Sequence, residues 1–176
     1  MARNIELKAR SADLPGVAAA AQGLSGVAPQ TESQRDTYFD APHGRLKLRE
    51  RSEDGRVLPT QLIWYERPDA SQARGSDYTL FQTADGAILR TLLTGALGVS
   101  IEVRKRRTVY IHDNVRIHLD EVDGLGTFIE LEAIVDASCN DTQAHAKVRR
   151  LRSALGIRDA DILSVSYADL LQSAGQ

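Results

Sequence analysis

Charged residues recur at every second position along several stretches of this 176-residue chain. Lys8 and Arg10 form one row, Arg45, Lys47 and Arg49 a second, and Lys105 and Arg107 a third, with Arg116 further on. Glu6, Asp120, Glu130 and Glu132 fall at the same spacing. Successive side chains of a strand point to opposite faces, so each row shares one face of a sheet. A half-solvated antiparallel sheet also shows one polar face per strand. Here, however, cations gather on some strands and carboxylates on others, and like charges side by side repel. Rows of that kind call for a counter-ligand. Clustered cations suit a polyanion with closely spaced charges, such as a triphosphate, gripped by charge-assisted hydrogen bonds. Carboxylates on the same surface cannot touch that anion. Glu130 and Glu132, two apart on one strand, instead offer the hard oxygens that Mg²⁺ or Mn²⁺ prefers while bridging to phosphate.

These rows need strands to position them. Residues 3–10 alternate, with Ile5, Leu7 and Ala9 opposite Asn4, Glu6, Lys8 and Arg10, which predicts a strand. Asp13 as N-cap and Pro15 in the first turn open a helix to about Leu24. Strands are expected at 37–39, 45–51, 61–66 and 78–82, with a hairpin turn at Ser52-Glu53-Asp54-Gly55 and a polar loop holding Pro68, Ser71, Gly75 and Ser76. Ile88, Leu89, Leu92, Leu93 and Leu97 sit at helical spacing within 84–97, closed by Gly98. A meander follows at 100–112, 115–121 and 127–135, turning at Asp113-Asn114 and at Asp123-Gly124-Leu125-Gly126. Asp141 or Thr142 caps a helix carrying Val148, Leu151 and Leu155, and Ser164 or Ser166 caps a last one carrying Leu170 and Leu171. The order is α+β, mostly strands with helices inserted and appended. If the sheet closes into a barrel with helices over its apolar outside, the charged faces line an interior that stays wet or holds ions, because burying an unpaired charge costs on the order of several kcal/mol.

Composition narrows the classes. With 42% hydrophobic and 26% charged residues, and no repeat or long linker, residues 1–176 are expected to form a single domain. One cysteine, Cys139, excludes a disulfide framework, and the N-terminus carries no apolar signal-type run, so a cytoplasmic protein is expected. No apolar run approaches the ~20 residues of a membrane span. A net charge of −2 gives no global basic field for nucleic acid. The run Arg104–Arg107 splits between two strand faces, and Lys147, Arg149, Arg150 and Arg152 read as a solvated helix face. The four histidines show no metal-type pairing and read as surface or loop residues, with His118 set apart because it shares a face with Arg116 and Asp120. No Gly-rich phosphate loop is present, so any triphosphate must be held by side chains. Trp64 and Tyr65 point to opposite faces, so at most one lines the interior, and core packing is expected for Trp64.

Ile5-Glu6-Leu7-Lys8 resembles the second half of the Glu-x-Glu-x-Lys signature of the CYTH superfamily, the triphosphate tunnel metalloenzymes. The similarity continues through Thr37-Tyr38-Phe39-Asp40, residues 44–50, Val103-Arg104-Lys105-Arg106-Arg107, residues 117–132 and Ser166-Tyr167-Ala168-Asp169-Leu170-Leu171, so it spans nearly the whole chain. The resemblance implies a closed eight-stranded antiparallel barrel, the triphosphate tunnel, with helices packed outside. It implies that Lys8, Arg49, Lys105 and Arg107 hold phosphates as the catalytic set, with Arg45, Lys47 and Arg116 as further substrate contacts. Glu6, Asp120, Glu130 and Glu132 become the ligands of Mg²⁺ or Mn²⁺. Two departures stand out. Asn4 occupies the place of the signature's first Glu, which removes one anionic metal ligand, so one well-held metal is expected and the second site is in question. Glu66-Arg67 replaces the family's Lys-Gly, so a phosphate lysine is absent or its place is taken by Arg67.

The family includes class IV adenylate cyclases, which turn ATP into cyclic AMP and pyrophosphate, and inorganic and thiamine triphosphatases. The implied partner is therefore a triphosphate-containing small molecule: ATP, tripolyphosphate or thiamine triphosphate. A cyclase is the leading expectation, a triphosphatase the first alternative and a non-catalytic triphosphate sensor the second. A nucleic-acid-binding module is a weaker third, and the oligomeric state stays open.

Overall fold

The alternation in residues 3–10 reappears as a strand whose apolar side chains, Ile5, Leu7 and Ala9, are buried under helices while Glu6 and Lys8 turn inward. The structure, a computed structural model, describes residues 2–66 and 73–174. In chain order the strands are β1 (Ala2–Arg10), β2 (Gln30–Phe39), β3 (Arg45–Glu53), β4 (Arg56–Glu66), β5 (Arg74–Thr83), β6 (Val99–His112), β7 (Val115–Val122), β8 (Gly126–Val135) and the short β9 (Ile162–Leu163). The helices are α1 (Leu14–Leu24), α2 (Gly86–Leu97), α3 (Asp141–Ala154) and α4 (Tyr167–Ala174).

All pairings are antiparallel, in the order β5-β4-β3-β2-β6-β7-β8-β1. β1 closes the barrel by pairing with β5 from Ala2 to Glu6, and β9 takes over the same edge at Lys8 and Ala9. An eight-stranded closed barrel with one extra strand and helices outside results. Closure removes the exposed sheet edges and separates an outer apolar face from an inner polar one.

The larger core lies outside the barrel wall. There Ile117, Leu119, Ile129 and Leu131 meet Ala21 of α1 and Ala144, Val148 and Leu151 of α3. A second cluster joins Tyr38, Val103, Phe128 and Tyr65 to Tyr167 and Ala168 at the start of α4, with the Phe128 and Tyr167 rings 4.9 Å apart. This fixes α4 against the barrel. Asp13 caps α1 by accepting from the Gly16 amide at 2.9 Å, as the sequence suggested. The cap of α3 is one residue earlier than expected. Asn140 forms a reciprocal box with Gln143, which satisfies two backbone amides at once. Asp54 and Gly55 make the β3–β4 turn, both with positive φ (47° and 79°), the conformation a tight hairpin demands.

β2, β4 and β5 are longer than the sequence pattern indicated. β2 already starts at Gln30, and the pattern hides its first half because Gln30, Glu32 and Gln34 line the cavity while Thr31, Ser33 and Arg35 also carry polar groups, leaving no apolar period. Trp64 is only half-buried and donates from Nε1 to the His43 carbonyl at 3.1 Å, whereas Tyr65 faces inward. Arg67, Pro68 and Ser71 lie outside the described residues. Among the described residues no helix is long and apolar enough to cross a membrane.

Leu131, fully buried where β8 meets the helices, tests the outer core. Leu131→Ala should lower unfolding free energy by about 2–5 kcal/mol in chemical denaturation, since deleted methyls leave a cavity the rigid barrel cannot collapse.

Candidate active site

Inside the barrel lies a cavity of about 580 Å³, lined by Lys8, Lys47, Arg49, Lys105, Arg107 and Arg116 together with Glu6, Glu130 and Glu132. Antiparallel register places them. Lys8 is opposite Glu130, Glu6 opposite Glu132, Arg107 opposite Asp120 and Arg116 opposite Glu132.

Two buried carboxylates organise most of the cations. Asp36, 1% exposed, accepts from Arg49 Nε and Nη2 at 2.7 Å each, from Lys47 at 3.0 Å and from Lys105 at 3.5 Å. Burial pushes the Asp36 carboxyl up, but the charges of Arg49, Lys105 and Lys47 outweigh this and hold it well below the usual range. Asp120, 0% exposed, is clamped by Arg107 through two 2.6 Å bonds and accepts a third, at 2.8 Å, from the Tyr167 hydroxyl. Arg107 also reaches Glu130 at 2.6 Å, and Lys8 meets the other oxygen of Glu130 at 2.9 Å. The Tyr167 ring lies 3.8 Å from Lys8 Nζ and 5.3 Å from Lys105 Nζ, a cation–π platform between two ammoniums. Burial pulls the Lys105 pKa well below its ordinary value against the attraction of Asp36, with Arg107 and Arg49 acting in the same downward sense.

A third cluster surrounds Glu132. It accepts from the Asn4 side-chain amide and, at 3.2 Å, from Arg116. His118, 5% exposed, stands between Glu130 and Glu132 and not at the surface, on the face shared with Arg116 and Asp120 that set it apart from the other histidines. Strand register carries His118 inward with its neighbours two residues away. Burial, reinforced by Arg107, lowers its pKa toward the neutral ring. Arg74, also buried, reaches Glu6 at 3.6 Å.

Most of the sequence-derived residues thus share one cavity, and two are placed differently. Arg45, at the first position of β3, is directed to Asp169 of α4 at 3.0 Å instead of the cavity wall, because alternation fixes a face but not the depth along the barrel. Asp120 sits behind Arg107, both oxygens engaged. Sequence reasoning missed Asp36 and Tyr167. Asp36 had a signal in its two-residue spacing from Tyr38, obscured by the short strand assigned there.

Among the described residues no three carboxylate, His or Cys side chains gather into a ready-made metal cluster, since the carboxylates hold cations instead. The donor set nevertheless suits a hard divalent ion. Glu6, Glu130 and Glu132 line the cavity, and the buried Oδ1 of Asn4 has no hydrogen-bond partner, an acceptor left for a cation.

Comparison with known proteins gives a consistent picture. A family model, the CYTH domain, matches residues 2–167. The adenylate cyclase CyaB of Aeromonas hydrophila is 26% identical over 174 residues, covering 97% of this chain and 89% of that protein. A solved structure from Pyrococcus horikoshii OT3 superposes with a TM-score of 0.78 at 23% identity, covering 97% of this chain and 99% of that one. An adenylyl cyclase candidate from Hippeastrum, described as having a dominant triphosphatase activity, superposes at 0.66 with 14% identity, covering 99% and 96%.

Asp36→Asn leaves Arg49, Lys47 and Lys105 without their shared counter-charge and should cost about 3–5 kcal/mol of stability, as broken buried pairs do. Tripolyphosphate should then raise the melting temperature of the variant more than that of the wild type, and equal shifts would show that these cations do not meet the anion. The Asp36 contribution is fully present above the ordinary aspartate range and is lost as pH falls through the depressed folded value.

Proposed function

The chain belongs to the CYTH domain family, and on that footing we propose that its tunnel binds ATP with Mg²⁺ or Mn²⁺ and converts it to cyclic AMP and pyrophosphate, as a class IV adenylate cyclase does. The observation that carries this reading is the convergence of Lys8, Lys47, Arg49, Lys105 and Arg107 on one cavity. Whole-length similarity to CyaB supports the cyclase branch. So does the cavity, whose roughly 580 Å³ lies within the range of small-molecule sites. Leu58, Ile63, Leu80 and Val109, with Tyr65 and Tyr78, give it a partly apolar wall that accepts an organic group as well as a phosphate chain.

In this reading phosphate oxygens take Lys8, Arg107, Arg49 and Lys105 from their carboxylate partners. The anion's charge replaces that of Asp36 and Glu130 beside them, so the cations remain paired. Arg107 and Lys105 then stabilise charge on the departing pyrophosphate while the ribose 3′ hydroxyl gives up its proton to solvent, its oxygen bonds to the α-phosphorus, and the bond from that phosphorus to the bridging oxygen of the pyrophosphate breaks. Glu130, Glu132 and Glu6, with Asn4 Oδ1, would hold the metal, which supplies neutralisation of phosphate charge and acidification of the attacking hydroxyl. Arg107 keeps Asp120 out of that set unless it yields to phosphate.

The alternative, hydrolysis of an organic or inorganic triphosphate, shares this ground state and differs in placing water rather than a ribose hydroxyl in line. The triphosphatase activity of the Hippeastrum neighbour gives that branch its weight. A turnover screen of ATP, GTP, thiamine triphosphate and tripolyphosphate with each metal separates them. Cyclic AMP and pyrophosphate are expected from ATP. Orthophosphate as the main product would favour the triphosphatase, and tight binding without turnover would leave a sensor.

Lys105→Ala should weaken triphosphate binding by about 2–5 kcal/mol, the range for truncating a desolvated charge contact. The fold should survive, because Asp36 keeps Arg49 and Lys47. Since only the protonated ammonium grips phosphate, affinity should decline as pH rises through the lowered Lys105 value, well before the ordinary 10.5. Calorimetry in buffers of different ionisation enthalpy should show proton uptake on binding, and affinity unchanged up to pH 10 would contradict the assignment.

A further inference from the structure

Two buried polar atoms beside Glu132 lack hydrogen-bond partners, and they belong to residues that the phosphate-binding set does not use. One is Asn4 Oδ1 on β1, the other His118 Nδ1 on β7. Their positions are linked. The Asn4 amide nitrogen donates to Oε1 of Glu132, which leaves its oxygen as the unsatisfied end. His118 Nε2 stands 3.8 Å from Oε2 of the same Glu132, and His118 Nδ1 stands 3.6 Å from Oε2 of Glu130. Both separations are long for a hydrogen bond, so the two carboxylates attract the imidazole electrostatically while Nδ1 has no partner at hydrogen-bond distance.

A buried imidazole held for packing alone normally finds a partner for its ring nitrogens. Here the ring stands beside two carboxylates, Glu130 and Glu132, and Glu132 also holds the Asn4 amide. The cations at hand, Lys8 and Arg107 on Glu130 and Arg116 on Glu132, contact carboxylate oxygens and leave His118 Nδ1 and Asn4 Oδ1 unserved. Once phosphate has drawn Lys8 and Arg107 from Glu130, one divalent cation would give the unpaired nitrogen and the unpaired amide oxygen a partner between the two carboxylates.

Resting on the metal-and-triphosphate reading above, we propose that His118 supplies a nitrogen ligand to the tunnel's divalent cation, with Glu130, Glu132 and Asn4 as oxygen ligands, and that this site thereby selects Mn²⁺ or Co²⁺ over Mg²⁺. Mg²⁺ favours an all-oxygen shell and retains its waters, whereas imidazole binds the later first-row metals more strongly. At Asn4 a neutral oxygen replaces a carboxylate, and the imidazole restores donor strength without adding charge. The nitrogen, rather than the number of carboxylates, then sets the metal preference.

The test is pulsed electron paramagnetic resonance of Mn²⁺ added to the full chain, with and without tripolyphosphate, and continuous-wave titration of free Mn²⁺ for affinity. The wild type should show nitrogen coupling from a directly bound imidazole, shifting to the ¹⁵N pattern when histidine is isotopically labelled. His118→Asn should lose that coupling and bind Mn²⁺ at least about tenfold more weakly, with Mg²⁺ affinity nearly unchanged. If the variant fails to fold, the labelled wild-type spectrum decides alone. Mn²⁺ bound without nitrogen coupling would overturn the role of His118 and leave the metal-dependent function standing. No Mn²⁺ binding in either condition would overturn both.

Discussion

Asp36 buried against Arg49, Lys47 and Lys105 is the interaction on which the barrel interior depends. An interior that contains so many cations cannot close unless each has a counter-charge, because isolated ions in a low-dielectric space carry a prohibitive desolvation cost. Asp36 supplies it on the β2–β3–β6 side, and Asp120 and Glu130 supply it on the adjoining β6–β7–β8–β1 wall through Arg107 and Lys8. The folded chain therefore contains internal ion pairs that a polyanion can exchange rather than create. Binding by exchange favours ligands whose charge spacing matches several cations at once, which is the property of a triphosphate chain.

The remaining architecture keeps those pairs in register. Antiparallel pairing sets Arg107 opposite Asp120 and Lys8 opposite Glu130, while the apolar faces of the same strands bury under α1 and α3. At one end α4 brings Tyr167 to Asp120 and stacks its ring beneath Lys8, so the C-terminal helix is joined to the site by a hydrogen bond and a cation–π contact. Arg45 ties the same helix to β3 through Asp169. Residues that read as substrate contacts by alternation alone can thus serve the frame that holds the site.

What the sequence made legible follows from where polarity contrasts. β1, β3 and β6 to β8 alternate apolar with charged residues, and both their strands and their inward faces could be read. The first half of β2 could not, because Gln30, Glu32 and Gln34 face the cavity while Thr31, Ser33 and Arg35 are polar too, so no apolar period marks the strand. Asp36 was lost with it. Alternation also gives a residue's face but neither its depth nor its partner. Arg45 shows the first limit, and Asp120, with both oxygens taken by Arg107 directly across the strand pair, shows the second. His118 lay on a readable face, but its unpaired nitrogen is visible only once β8 stands beside β7.

If triphosphate takes cations away from Glu130 and Asp120, it releases carboxylate oxygens for metal, and the two ligands must strengthen one another's binding by the same factor. Calorimetric titration of tripolyphosphate with and without Mn²⁺, and of Mn²⁺ with and without tripolyphosphate, measures that coupling after correction for their association in free solution. Mutual enhancement of tenfold or more is the result that ion-pair exchange requires. Independent binding of the two, or binding of either that excludes the other, would contradict it.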